Sequence, residues 1–118
     1  MIPSLLYDLV ASGEAILELR RGGALLSGSP AKNTELAAIL YNFVVMGEIA
    51  SRLGEDFLAQ HPELPWRQVI DHRNVIAHGY DDVDPEILAR TIDEHLPDLV
   101  AKAQRILETY GPPPETDQ

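Results

Sequence analysis

An all-α bundle of four main helices is the fold class this chain of 118 residues predicts. Four segments carry apolar residues at steps of three and four, the signature of amphipathic helices. No segment sustains the alternation of a half-buried strand. Glycine and proline gather between the four segments, where connections belong.

The first helix is expected from Pro3 to Arg21, with Leu5, Leu6, Leu9, Ile16 and Leu17 on one face. "RRGGALLSGSP" ends it, because Gly22, Gly23, Gly28 and Pro30 favour a loop. The second helix starts near Asn33 or Thr34, with Asn33 a candidate N-cap and Glu35 in the first turn. Leu36, Ile39, Leu40, Phe43, Met46 and Ala50 keep one face apolar until Gly54. Gly47 costs about 1 kcal/mol inside a helix relative to Ala, so it is expected to permit a close helix crossing.

"EDFLAQHPELP" predicts one extra helical turn, with Phe57 and Leu58 covering the core. The third helix begins at Pro65, a residue tolerated in a first turn, and runs to Ala77 or His78. Gly79 stands where a left-handed C-terminal cap is expected. The fourth helix follows "DDVDP", with Asp84 as cap and Pro85 as opener, and reaches Tyr110. Pro97 inside it is expected to kink the helix or split it in two. Residues 1–110 thus predict one helical domain, and "GPPPETDQ" (111–118) a disordered tail.

Composition narrows the function. The chain has no cysteine, which excludes disulfides and thiolate metal sites and makes a cytoplasmic location the simplest expectation. No apolar run is expected to reach the roughly 20 residues of a membrane span. The formal net charge is −10, so the mean field repels nucleic acid at long range. Locally the balance differs, because Arg67 and Arg73 face only Asp71 between positions 67 and 78, with His72 and His78 able to add protons. Asp81, Asp82, Asp84 and Glu86 then restore the acidic surface.

The stretch "PWRQVIDHRNVIAHGY" (65–80) concentrates polar residues at the end of the third helix. A helix advances about 100° per residue, so Asn74 and His78, four apart, share a face. Arg73 and His78, five apart, are separated by about 140°. Tyr80, beyond the glycine, is free to swing back toward either. Each residue has a structural explanation: a His at a helix C-terminus meets unpaired carbonyls, and an Arg on a helix is commonly a solvated charge. Together they suit phosphodiester cleavage without a metal. His78 can take a proton from a ribose 2′-hydroxyl, Arg73 can stabilise charge on the attacked phosphate, and Asn74 can orient the imidazole or bind a phosphate oxygen. A two-fold dimer would supply a second His as the general acid.

Other candidates are less organised. His72 and His78 do not form a helical metal pair, and His61 and His95 are isolated. Trp66 is expected to anchor the core or an interface. Glu48, beside Gly47, is placed either to ion-pair with Arg73 across the bundle or to stand solvated.

"RNVIAHGY" fits R-x4-H-x-Y, and with "GEIASRL" (47–53), "PELPW" (62–66) and "TIDEHLPDL" (91–99) the chain resembles the HepT-like toxins of the HEPN superfamily. The likeness runs from about Leu5 to Leu107 and is strongest over the last two-thirds. The resemblance implies a four-helix up-and-down HEPN bundle that forms a homodimer and acts as a metal-independent endoribonuclease toxin requiring no cofactor. It implies Arg73 and His78 as the catalytic pair in a cleft shared by two protomers, with Asn74 as the supporting polar residue. It also implies silencing by an MntA-like nucleotidyltransferase antitoxin that adds AMP to Tyr80. A non-catalytic HEPN dimer serving as binding partner of that nucleotidyltransferase is the alternative, and the acidic surface favours it.

Overall fold

A computed structural model describes residues 1–111 of the chain. Among them are six α-helices and no strand: α1 (Ile2–Arg21), α2 (Thr34–Leu53), α3 (Glu55–Gln60), α4 (Trp66–Gly79), α5 (Pro85–Arg90) and α6 (Leu96–Glu108). A five-residue π-turn, Thr91–His95, joins α5 to α6 into one long helical segment. The four expected helices are therefore α1, α2, α4 and the α5–α6 segment, with α3 the expected extra turn. The tail expected at 111–118 lies outside the described residues except for Gly111.

α1 lies between α2 and α6, while α4 packs on the other side of α2. Leu6, Leu9 and Ile16 of α1 meet Ile39 and Met46 of α2 and Ile92 of the π-turn in a core closed to water. Burial of such side chains contributes roughly 1.5–3 kcal/mol each. α2 is long and apolar enough, by length and composition, to cross a membrane. That corrects the expectation that no segment reaches such a length. Its apolar residues are used instead between α1 and α4.

Local signals set most of the helix ends. Asn33 caps α2, its Oδ1 accepting from the Leu36 N–H at 3.0 Å while its Nδ2 donates to the Leu25 carbonyl at 2.9 Å. Asp84 caps α5, accepting from the Glu86 N–H at 2.9 Å. The Trp66 indole N–H donates to the His61 carbonyl at 2.8 Å and its ring packs edge-on to Phe57, locking the start of α4 to α3. Trp66 is thus a core anchor.

One end differs from expectation. Gly79 has φ −167°, extended backbone rather than a left-handed cap, and the chain continues into a 3-10 turn at Tyr80–Asp82. A β-carbon here would stand 3.3 Å from the Asp82 carboxylate, a tight contact that this exposed side chain would have to yield. The split expected at Pro97 takes the form of the π-turn, which divides the segment into α5 and α6 and leaves Pro97 in the first turn of α6. Proline has no N–H for the carbonyl four residues back, and the turn before it widens so that the Leu96 N–H reaches the Thr91 carbonyl. The Arg20 guanidinium braces this wide turn, its Nε and Nη2 gripping the two Asp93 oxygens at 3.0 and 2.9 Å.

Candidate functional site

α4 has α2 as its main neighbour and buries only Trp66 and Ile76 fully. Its outer face is open, and Asn74, Val75, His78 and Tyr80 are all exposed. The motif residues therefore line a surface and not an enclosed cavity. A concavity of about 560 Å³ lies at the opposite end of α4, between Pro65–Gln68 and Glu94–Lys102. It contains none of Arg73, Asn74, His78 and Tyr80. Lys102 is tied there to Asp98 at 2.9 Å and to the Glu63 carbonyl at 3.1 Å.

Arg73 sits where α4 crosses α2. Gly47 makes that crossing possible, because a β-carbon on it would overlap the β-carbon of Arg73. The close crossing expected of Gly47 is thus present, and Arg73 is the residue that occupies the space. The Arg73 side chain is 19% exposed, and its Nη1 reaches the Glu48 carboxylate at 3.0 Å. Glu48 is the ion-pair partner and not merely solvated. On the other side, the Arg73 Nε–H donates to Asn74 Oδ1 at 2.8 Å. Of the guanidinium's donors, Nε–H is hydrogen-bonded and Nη1 is ion-paired, while Nη2 has no partner among the described residues.

His78 is held differently. Its Nδ1 lies 2.9 Å from the Asn74 backbone carbonyl, one helical turn back. A carbonyl can only accept, so Nδ1 carries the hydrogen and Nε2 keeps its lone pair when the ring is neutral. That tautomer leaves the outward nitrogen free to take a proton. Asn74 therefore contacts both residues, His78 through its backbone and Arg73 through its side chain. The sequence placed the Asn74 side chain on the His78 face. The pairing with Arg73 was missed because adjacent helix residues do not ordinarily face each other, and no periodic signal reveals it.

Tyr80 is 54% exposed in the 3-10 turn, and its hydroxyl makes no hydrogen bond among the described residues. It does not swing back onto Arg73 or His78 through a hydrogen bond. Asp81 and Asp82 in the same turn and Glu48 beside Arg73 make the cationic spot smaller than the sequence tally suggested. Among the described residues, no group of three or more His, Asp or Glu comes together as a metal cluster.

The remaining histidines have structural roles or none. His72 packs edge-on against Phe43, with ring centroids 4.6 Å apart, and burial pushes its pKa below the ordinary value. His61 packs against Phe57 and meets Glu63 at 3.4 Å. His95 closes the π-turn.

The arrangement, an outward imidazole nitrogen beside an anchored guanidinium on an open helix face, suits chemistry on a phosphodiester. Comparison with known proteins agrees in kind. The family model described as "Ribonuclease HepT-like" matches residues 8–106. A probable ribonuclease HepT of Thermococcus cleftensis is 30% identical over 101 residues, covering 86% of this chain and 91% of its own. A Methanocaldococcus jannaschii protein described as a candidate RNase is 22% identical over 100 residues, covering 83% and 89%. No solved structure gives a significant match. With the motif in place on α4 and the family match running through all four main helices, the chain belongs to the HepT-like ribonuclease family, within the HEPN superfamily.

Proposed function

We propose that this protein is an endoribonuclease that cleaves RNA by in-line attack of the ribose 2′-hydroxyl, with His78 and Arg73 as its catalytic residues. The observation that carries this reading is the fixed tautomer of His78, with Nδ1 on the Asn74 carbonyl and Nε2 free. In the first half of the step, Nε2 removes the 2′-hydroxyl proton and the 2′-oxygen bonds to phosphorus. The bond from phosphorus to the 5′-oxygen then breaks, leaving a 2′,3′-cyclic phosphate, and the departing 5′-oxygen takes a proton. The free N–H donors of Arg73 stabilise the negative charge gathering on the non-bridging oxygens. No metal or cofactor has a role in this scheme.

One chain offers one such His. A homodimer that brings two α4 outer faces together would supply the second, protonated imidazole as general acid. The open, shallow character of the site supports that reading, since a second protomer would give it walls. The exposed Tyr80, beside the site, suits silencing by an MntA-like nucleotidyltransferase, because an added AMP brings bulk and phosphate charge to the RNA entrance. The protein would then be the toxin of a toxin–antitoxin pair in the cytoplasm, with residues 1–110 as its single HEPN domain.

The test is RNA cleavage by purified protein in EDTA, comparing wild type with Arg73→Ala and His78→Ala. Cleavage by wild type alone supports the reading. Undiminished cleavage by His78→Ala would remove the role given to that residue. The second reading is a non-catalytic dimer that binds the nucleotidyltransferase, favoured by the acidic turn after Tyr80 and by the carboxylate on Arg73. Folded, dimeric wild type that cleaves no RNA would favour it.

A further inference from the structure

We infer that Glu48 is a positioning residue for RNA cleavage, acting through Arg73 as the ion-pair contact that, with the Asn74 acceptor, aims its guanidinium. This inference rests on the proposed ribonuclease reading. Arginine has four side-chain torsions, and an exposed one samples many rotamers. Three contacts restrict Arg73: its stem lies against Gly47, its Nη1 on Glu48 at 3.0 Å, and its Nε on Asn74 Oδ1 at 2.8 Å. Stem, Nε and Nη1 together fix the plane of the guanidinium as well as its position. Nη2, which has no partner among the described residues, keeps two N–H donors for phosphate oxygens.

Stabilising the fold is a poor explanation for Glu48. Its side chain is 57% exposed, and an ion pair so open to water contributes little. A carboxylate next to a phosphate site also opposes RNA binding by charge. Its value lies in orientation, where misplacement by about 1 Å can cost on the order of a hundredfold in rate. The contact, and not the charge, is what positions the guanidinium. An uncharged amide oxygen in the same place can meet the same Nη1.

The experiment measures kcat and KM for RNA cleavage by wild type, Glu48→Ala, Glu48→Gln and Arg73→Ala, with thermal melting of each. Expected is a fall of about tenfold or more in kcat for Glu48→Ala. Its KM should change less than about threefold, because lost aim and relieved repulsion act in opposite senses. Glu48→Gln should recover most of that kcat, and all variants should melt close to wild type. Wild-type rates in Glu48→Ala, or a Glu48→Gln as slow as Glu48→Ala, would overturn the positioning role while leaving Arg73 in place. An Arg73→Ala as active as wild type would instead remove the reading on which the inference rests.

Discussion

Gly47 and Arg73 meet where α2 crosses α4, and a β-carbon on Gly47 would overlap the Arg73 β-carbon and stand 2.6 Å from its γ-carbon. The site's arginine is therefore set into the packing of the bundle as well as into a helix. Gly47→Ala should cost about 1–3 kcal/mol in urea unfolding, as overpacking does, and should lower cleavage beyond what the lost folded fraction explains. Gly13→Ala is the control, since its β-carbon would press on Val100, in the contact between α1 and α6. It should destabilise without a separate effect on cleavage by the folded protein.

Asn74→Ala separates the two contacts of that residue. The backbone carbonyl that holds His78 Nδ1 survives, and only the acceptor for Arg73 Nε is lost. Cleavage should drop by roughly three- to tenfold, well short of the roughly hundredfold or greater loss expected for Arg73→Ala. Steady-state rates on one RNA substrate check the ranking. Equal losses in the two variants would show that Asn74 does more than hold the guanidinium.

Tyr80→Phe removes a hydroxyl that makes no hydrogen bond among the described residues. Folding and RNA cleavage should stay near wild type, while a nucleotidyltransferase partner should no longer silence the variant. Intact-protein mass spectrometry after incubation with the partner and ATP reads the outcome. An AMP adduct on Tyr80→Phe would place the modification elsewhere.

His72 carries a pH dependence of its own. Burial against Phe43 holds its pKa below 6.5 in the folded chain. Well above pH 6.5 neither state protonates the ring appreciably and it adds no slope. As pH falls through 6.5 the unfolded chain takes up the proton first, so the folded state loses stability until its own lower pKa is passed. The fall in melting temperature between about pH 7.5 and about pH 5 should be smaller in His72→Gln than in wild type. Parallel curves would show that His72 does not contribute.

The Arg20–Asp93 fork predicts a slope of the same sign in a more acidic window. Hydrogen bonding to Arg20 holds the Asp93 carboxyl below its ordinary pKa of 3.8. Its stabilisation is present above that value and disappears as pH falls through the lower, folded pKa. Both side chains are partly in water, so Asp93→Asn should cost only about 0.5–1 kcal/mol at neutral pH. Unfolding curves of variant and wild type should converge in acid.

Features governed by local chemistry were readable in the sequence. Asn33 and Asp84 cap the helices they were expected to cap, and the apolar spacing of the long segments located the core. Gly47 as a crossing point was readable too, because an unexplained glycine in a strong helix needs a spatial reason. What stayed hidden depends on geometry between elements or on alternatives of equal local cost. Gly79 carries the same letter whether it is left-handed or extended, and the residue type alone does not choose between them. Pro97 states that a hydrogen bond is missing, not how the helix will absorb the loss. At the site, the motif identified Arg73 and His78, but the tethers that orient Arg73 come from a helix twenty-five residues away in sequence (73 − 48 = 25) and from an immediate neighbour.

The wide turn at Thr91–His95 also works as a phase corrector. Apolar residues spaced by four drift about 40° per step around an ordinary α-helix, since 3.6 residues complete a turn. A turn closed by a longer hydrogen-bonded ring absorbs that drift, and Leu88, Ile92 and Leu96 consequently all point into the core, at 0%, 0% and 2% exposure. The same residue count wound at ordinary pitch would place Leu88 about 80° away from Leu96 around the helix and carry it off the core face. Removing one residue along with the wide turn would leave the two seven apart and within about 20° of alignment, so the turn accommodates one extra residue without turning the helix out of register with the core.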